Sequence, residues 1–198
     1  MSLKLRVSMM AVACIAVAAC AQNTEPPAPA TASAPVAAGP DLMADLMKDV
    51  EGVEKKMIDL ATAMPEGTMN WVPSVGTRSV REVVLHVASD NYLIPSMLGA
   101  AIPAETKISA TDFATLTAYE KRDIRRDAAV ADLKTSFAHL KAAMSADSAS
   151  RMGAEVDFFG TKMSRQAAWI GAVTHLHEHL GQSIAYARSN KIVPPWSK

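Results

Sequence analysis

The chain has 198 residues, and its 20 lysines and arginines balance its 20 aspartates and glutamates, for a formal net charge of zero. That balance supplies no basic footprint, so no nucleic-acid partner is expected. Only two cysteines occur, Cys14 and Cys20, both near the N-terminus, which leaves no disulfide framework and no cysteine-based zinc site.

Lys4 and Arg6 precede an apolar or small run from Val7 to Ala19. The run is shorter than the ~20 residues of a spanning helix and has the form of a secretory signal. It closes as Val17-Ala18-Ala19-Cys20, which looks like a bacterial lipobox with Cys20 as the lipidation site. Cys14 fits less well, because Ala11 stands where a larger aliphatic is usual. The reading is a lipoprotein signal peptide over 1–19, an Ala/Pro-rich tether over 20–40 and a folded domain over 41–198. Removing 1–19 takes away Lys4 and Arg6 and no acid, so the mature chain carries a net charge of −2. Segment 21–40 has no periodicity and too little apolar content to fold. The expected location is the bacterial cell envelope, lipid-anchored and facing the periplasm.

Four helical stripes follow. Leu42, Leu46, Val50, Val53, Met57, Leu60 and Met64 recur at helical spacing, and Pro65 and Gly67 stop the helix. Ser79-Val80-Arg81-Glu82 fits a capping box that opens a second helix, with Val80, Val83, Val84, Val87, Ile94 and Leu98 on its apolar side. Pro95 predicts a kink or an early stop there. Residues 103–123 are less regular, with a short helical turn over 111–118. A third helix spans about 127–144, with Val130, Leu133, Phe137, Leu140 and Met144 as its stripe. Residues 147–161 form a loop in which 155–160 are a short extended piece or hairpin. The fourth helix runs from about Ser164 to Ser189, with Trp169, Val173, Leu176, Leu180, Ile184 and Ala187 facing the core, before Pro194 and Pro195. The fold class is all-α, a four-helix bundle.

Three of the five histidines lie between 175 and 179. His175 and His179, at i and i+4, stack on one helix face, and Gln182 and Tyr186 continue that polar stripe. Two neutral imidazoles so placed can share a metal ion. His177 points about 200° away and should face solvent or a helix edge. A third ligand must come from another helix, and His86, in an otherwise apolar stretch, is the best candidate. Asp90, at i+4 from His86, serves as an orienting carboxylate, a fourth ligand or a base. His139, between Phe137 and Leu140, reads as a non-ligand. His175-Leu-His-Glu178-His179 also matches an inverted zinc-peptidase pattern. No aspartate or glutamate follows His179 to complete that site, so the match is a coincidence.

Trp71-Val-Pro73 with Ser79-Val-Arg-Glu-Val-Val-Leu-His86, then His175-x-x-x-His179-x-Gly181-Gln182, then Tyr186-Ala-Arg188-Ser-Asn190 and Val193-Pro194-Pro195-Trp196 occur in order. In these the sequence resembles the DinB-like superfamily of four-helix bundle proteins, related to the YfiT-type metal-dependent hydrolases. The resemblance implies a divalent metal, commonly nickel or zinc, held by His86, His175 and His179. It also implies, for some members, transfer or isomerisation of small thiols. The sequence departs from the family at Leu180, where a basic residue often stands, and in its lipoprotein leader, since thiol-transferring relatives are typically cytoplasmic.

The expected function is that of a divalent-metal-binding lipoprotein acting as a hydrolase or thiol transferase. Three neutral histidines leave the ion an open position for water or a thiol. Asp90 is the orienting group or base, and Gln182 and Tyr186 contact substrate or support the ligands. The alternative is a non-catalytic lipoprotein that binds metal or a small ligand. Expected partners are an unspecified small molecule and the membrane through its lipid anchor, with a homodimer left open.

Overall fold

In the computed structural model, which describes residues 41–197, the Asp41 carboxylate accepts from the amides of Met43 and Ala44 and starts α1, Leu42–Ala63. The expected signal peptide, Cys20 and the tether lie outside the described residues. Ser79 and Glu82 form the predicted capping box of α2, Val80–Met97: the serine hydroxyl accepts from the Glu82 amide, and the Glu82 carboxylate accepts from the Ser79 amide. A short helix, α3, Phe113–Glu120, is capped by Asp112. It takes the place of the turn expected over 111–118. Then come α4, Arg126–Ser145, and a hairpin of β1, Glu155–Phe158, and β2, Thr161–Ser164. Ser164 caps α5, Arg165–Ser189. The third and fourth helices expected from sequence are therefore α4 and α5. Among the described residues no helix is long and apolar enough to cross a membrane.

Pro95 does not stop α2, which runs two residues beyond it. The stop comes from Gly99, in the left-handed region at φ 91°. The Gly99 amide donates to the Ser96 carbonyl and the Ala100 amide to the Pro95 carbonyl, so the last orphan carbonyls are satisfied. Lys191, at φ 62°, closes α5 in the same way, with its amide on Arg188 and that of Ile192 on Ala187.

Both α1 and α2 pack against α4 and α5, so the order around the bundle is α1, α4, α2, α5. The expected stripes meet in the middle: Val50, Val53 and Leu60 of α1, Val83 and Val87 of α2, Leu133, Phe137 and Leu140 of α4, and Trp169 and Leu176 of α5 are all buried. Each large apolar side chain so buried contributes roughly 1.5–3 kcal/mol. α2 also carries α3 and touches β1. It is therefore covered on most sides, which explains why its buried residues include Arg81, Ser89 and Asn91 beside the apolar stripe.

One end of the bundle is held by a buried carboxylate. The Asp147 side chain, 1% exposed, accepts from the Trp169 indole at 2.7 Å, the Ser148 amide at 2.9 Å, and the Arg165 and Arg151 guanidinium groups. Arg165 also donates to the Leu98 carbonyl. The ends of α2, α4 and α5 are thus tied to one ionic centre. Burial raises the Asp147 pKa, but the indole, guanidinium and amide donors outweigh it and hold the carboxyl below its ordinary value.

A group whose folded pKa is lowered stabilises above its unfolded pKa and loses that contribution as pH falls through the folded value. Asp147→Asn should cost about 3 kcal/mol at pH 7, by leaving Arg165 buried without its anion. In urea unfolding, the difference from wild type should narrow below about pH 4. A gap that stays constant between pH 7 and pH 3 would contradict this account.

Candidate metal centre

The seam between α2 and α5 is antiparallel. Leu98 meets Arg165, Asp90 meets His175, His86 meets His179, and Arg78 meets Tyr186. One helix number rises as the other falls, so side chains spaced by a turn on one helix face side chains spaced by a turn on the other. That register carries His86 on α2 to the pair His175 and His179 on α5.

The three rings stand edge to face, with centroids 4.4 Å apart for His175 and His179, 4.5 Å for His86 and His179, and 5.4 Å for His86 and His175. One ring nitrogen from each lies within 4.8 Å of the others. The Asp90 carboxylate joins them, with one oxygen 2.7 Å from His175 Nε2 and 3.3 Å from His86 Nε2. It therefore faces two histidines, and its shorter contact is with His175.

The outer nitrogens fix the tautomers. His86 Nδ1 donates to Glu120 at 2.8 Å, and His179 Nδ1 donates to the Gln182 side-chain carbonyl at 2.8 Å. Both partners are acceptors there, so each Nδ1 carries the proton and each Nε2 keeps its lone pair in the neutral ring. Gln182 in turn donates to the Tyr186 hydroxyl at 3.0 Å, and that hydroxyl donates to the Arg78 carbonyl. Trp71 packs edge-on against the Tyr186 ring at 5.3 Å, which fixes the end of this chain. Burial pushes the His179 pKa down to about 4, and the neighbouring His175 and His86 add to that. His179 is thus a neutral ring at ordinary pH.

Sequence reasoning missed Glu120. It lies on α3, 34 residues from His86, and no motif spacing joins the two. Arg78 holds its other oxygen at 3.0 Å. Burial raises the Glu120 pKa, but the His86 and Arg78 hydrogen bonds prevail, so it stays below the usual carboxylate range. The pattern is a cation, a carboxylate and an imidazole in line, the arrangement that orients a metal-binding histidine.

His177 points away from the cluster and reaches Asp49 of α1 at 2.9 Å on the surface. His139 of α4 packs beside Tyr92 of α2, and its Nε2 is buried without a partner. Burial lowers its pKa. Neither residue joins the cluster, and Cys20 lies outside the described residues.

A family model described as the DinB superfamily matches residues 49–183. Three crystal structures share the architecture. A DinB-like protein from Bacillus cereus is 13% identical, with a TM-score of 0.63 over 77% of this chain and 95% of that one. A conserved protein from Enterococcus faecalis is 16% identical, with a TM-score of 0.63 over 76% and 97%. A DinB-like protein from Bacillus subtilis is 18% identical, with a TM-score of 0.56 over 75% and 94%. At these identities the likeness is one of fold. No curated protein matches the chain in sequence.

If Glu120 orients His86, Glu120→Gln should weaken divalent-ion binding by about 10- to 100-fold, read by competition with a fluorescent chelator. His177→Ala should leave it within about twofold, since its contacts are those of an exposed ion pair. A loss at His177 equal to that at Glu120 would overturn the assigned helical phase.

Proposed function

The chain belongs to the DinB superfamily, and on that premise we propose that it binds one divalent transition-metal ion, nickel or zinc, and uses it as a hydrolase or transferase of small molecules. The observation that carries this reading is the convergence of His86, His175 and His179 nitrogens within 4.8 Å across two helices. The donor set fits such an ion in a further respect. His86 Nε2 and the Asp90 oxygen are both acceptors when the ring is neutral, yet they face each other at 3.3 Å. Two facing lone pairs call for a cation between or beside them, whether a proton or a metal.

When bound, the ion supplies Lewis acidity, polarising an oxygen or sulfur group brought to it. The chain's own residues do the rest. Glu120 and Gln182 hold two rings in one tautomer and direct the lone pairs inward. Asp90, mostly buried between two histidines, is positioned to accept a proton from a group arriving at the centre. Tyr186 fixes Gln182, and through it His179.

By the same reading Cys20 carries the lipid that holds the domain at the bacterial cell envelope, facing the periplasm. The Val17-Ala18-Ala19-Cys20 sequence after a basic and apolar leader supports this.

Purified full chain should retain one equivalent of nickel or zinc through dialysis, measured by elemental analysis. His175→Ala and His179→Ala should each reduce this to a small fraction; full retention in either would remove that histidine from the site. A panel of ester, amide and thiol-conjugate substrates should show turnover that stops with a chelator and returns with metal. Labelled palmitate should enter the wild-type precursor and not Cys20→Ser, and equal labelling of the two would refute the anchor.

A further inference from the structure

Beside the histidine cluster lies a pocket of about 230 Å³ whose wall includes Ile94, Phe158, Phe159 and Thr174, together with Asp90 and His175 of the cluster and Glu178. Its apolar surface comes from α2 and from the hairpin. Its polar end is the candidate metal centre itself, because Asp90 and His175 belong to both. A dry apolar cavity of about 150 Å³ already accepts a benzene ring, so the space is sufficient for one ring and a short polar group.

The hairpin turn is built against local preference. Phe159 and Gly160 are its two central residues, at φ 53° and 81°. A two-residue turn with both φ values positive favours asparagine, aspartate or glycine first, and a bulky side chain there is strained. Glycine fills the second position, and the Asp157 carboxylate accepts from its amide at 2.7 Å. The first position instead carries a phenylalanine whose side chain stabilises the fold little: Phe159 is 51% exposed and touches Phe158 edge-on at 4.9 Å. Such a conflict between local rule and sequence belongs at functional positions.

We infer that this pocket takes the aromatic or branched apolar group of a neutral or cationic small molecule whose polar end reaches the three histidines, with Phe159 as the specificity-determining side chain. The inference rests on the metal-centre reading above. The charge preference follows from the wall: Asp90 and Glu178 are acidic, and no lysine or arginine lines this pocket. Away from the ion, an anionic group placed in it would meet two carboxylates and no lysine or arginine.

The test uses the full chain loaded with cobalt(II), whose visible absorption reports ligands at the ion. The probes are benzohydroxamic acid, acetohydroxamic acid and 4-carboxybenzohydroxamic acid, which share one chelating group. Wild type should bind the benzo compound more tightly than the aceto compound, and the carboxylated analogue more weakly than its parent. Phe159→Asn and Phe159→Gly both suit the turn, so each should fold with an unchanged or higher thermal midpoint. Each should lose about five- to tenfold in benzohydroxamic acid affinity and leave acetohydroxamic acid within about twofold. Unchanged benzo binding, or an equal loss for both probes, overturns the role of Phe159. Tighter binding of the carboxylated analogue overturns the charge preference. A chain that takes up no cobalt overturns the metal-centre reading and the inference with it, whereas cobalt uptake without probe discrimination overturns the pocket alone.

Discussion

Three converging imidazoles, two of them in contact with one carboxylate, set the terms for everything around them at the α2–α5 seam. A buried ring nitrogen without a partner is costly, and each of these rings has two. The inner nitrogens converge, so the outer ones must be satisfied from elsewhere. Glu120 comes in from α3 for His86, and Gln182 from the next turn of α5 for His179. Each helper then needs its own partner, Arg78 for Glu120 and Tyr186 for Gln182. The role of the short α3 is explained by this demand, because it is the element that delivers a carboxylate to the far side of His86.

The other end of the same seam is governed by a different buried charge. Asp147 gathers donors from Ser148, Arg151, Arg165 and Trp169, and Arg165 reaches the Leu98 carbonyl at the C-cap of α2. The seam is therefore pinned where α5 begins and again where its histidines lie. Between these points the packing is apolar, through Leu93, Ile94, Trp169 and Ala172. Precise placement of rings a turn apart depends on such pinning, since a shift of one residue in register would turn His175 away from Asp90.

Much of this was legible in the sequence, and the rest was hidden for definite reasons. The helices could be read because sets such as Val50, Val53, Met57 and Leu60 recur at helical spacing, and the Ser79–Glu82 box announced its own geometry. His175 and His179 could be paired, and His177 set aside, from phase alone. His86 needed more, because periodicity marks a polar residue on an apolar helix without naming its partner. Glu120 carried no mark at all: its significance comes from α3 docking on α2, a tertiary fact. Of the two outcomes expected at Pro95, a kink or an early stop, the stop does not occur: a proline near a helix terminus loses a hydrogen bond without halting the chain, and Gly99 is the residue able to adopt the stopping conformation. The hairpin was foreseen only in outline, since four-residue strands have too few alternations to identify.

The cyclic order α1, α4, α2, α5 has a kinetic consequence. Neither α1 with α2 nor α4 with α5 forms a pair of nearest neighbours, so these consecutive helices do not build simple helical hairpins. Of the long helices, α2 and α4 alone follow each other in the sequence and pack directly, with only the small α3 between them. The remaining contacts join distant parts of the chain, α1 to α5 most of all. Chain-closure entropy must be lost before such contacts stabilise anything, and high contact order slows folding. The helix whose contacts reach furthest back along the chain, α5, is the one that brings two of the three imidazoles. The centre is thus completed by contacts that close a long stretch of chain, from His86 on α2 to His175 and His179 on α5.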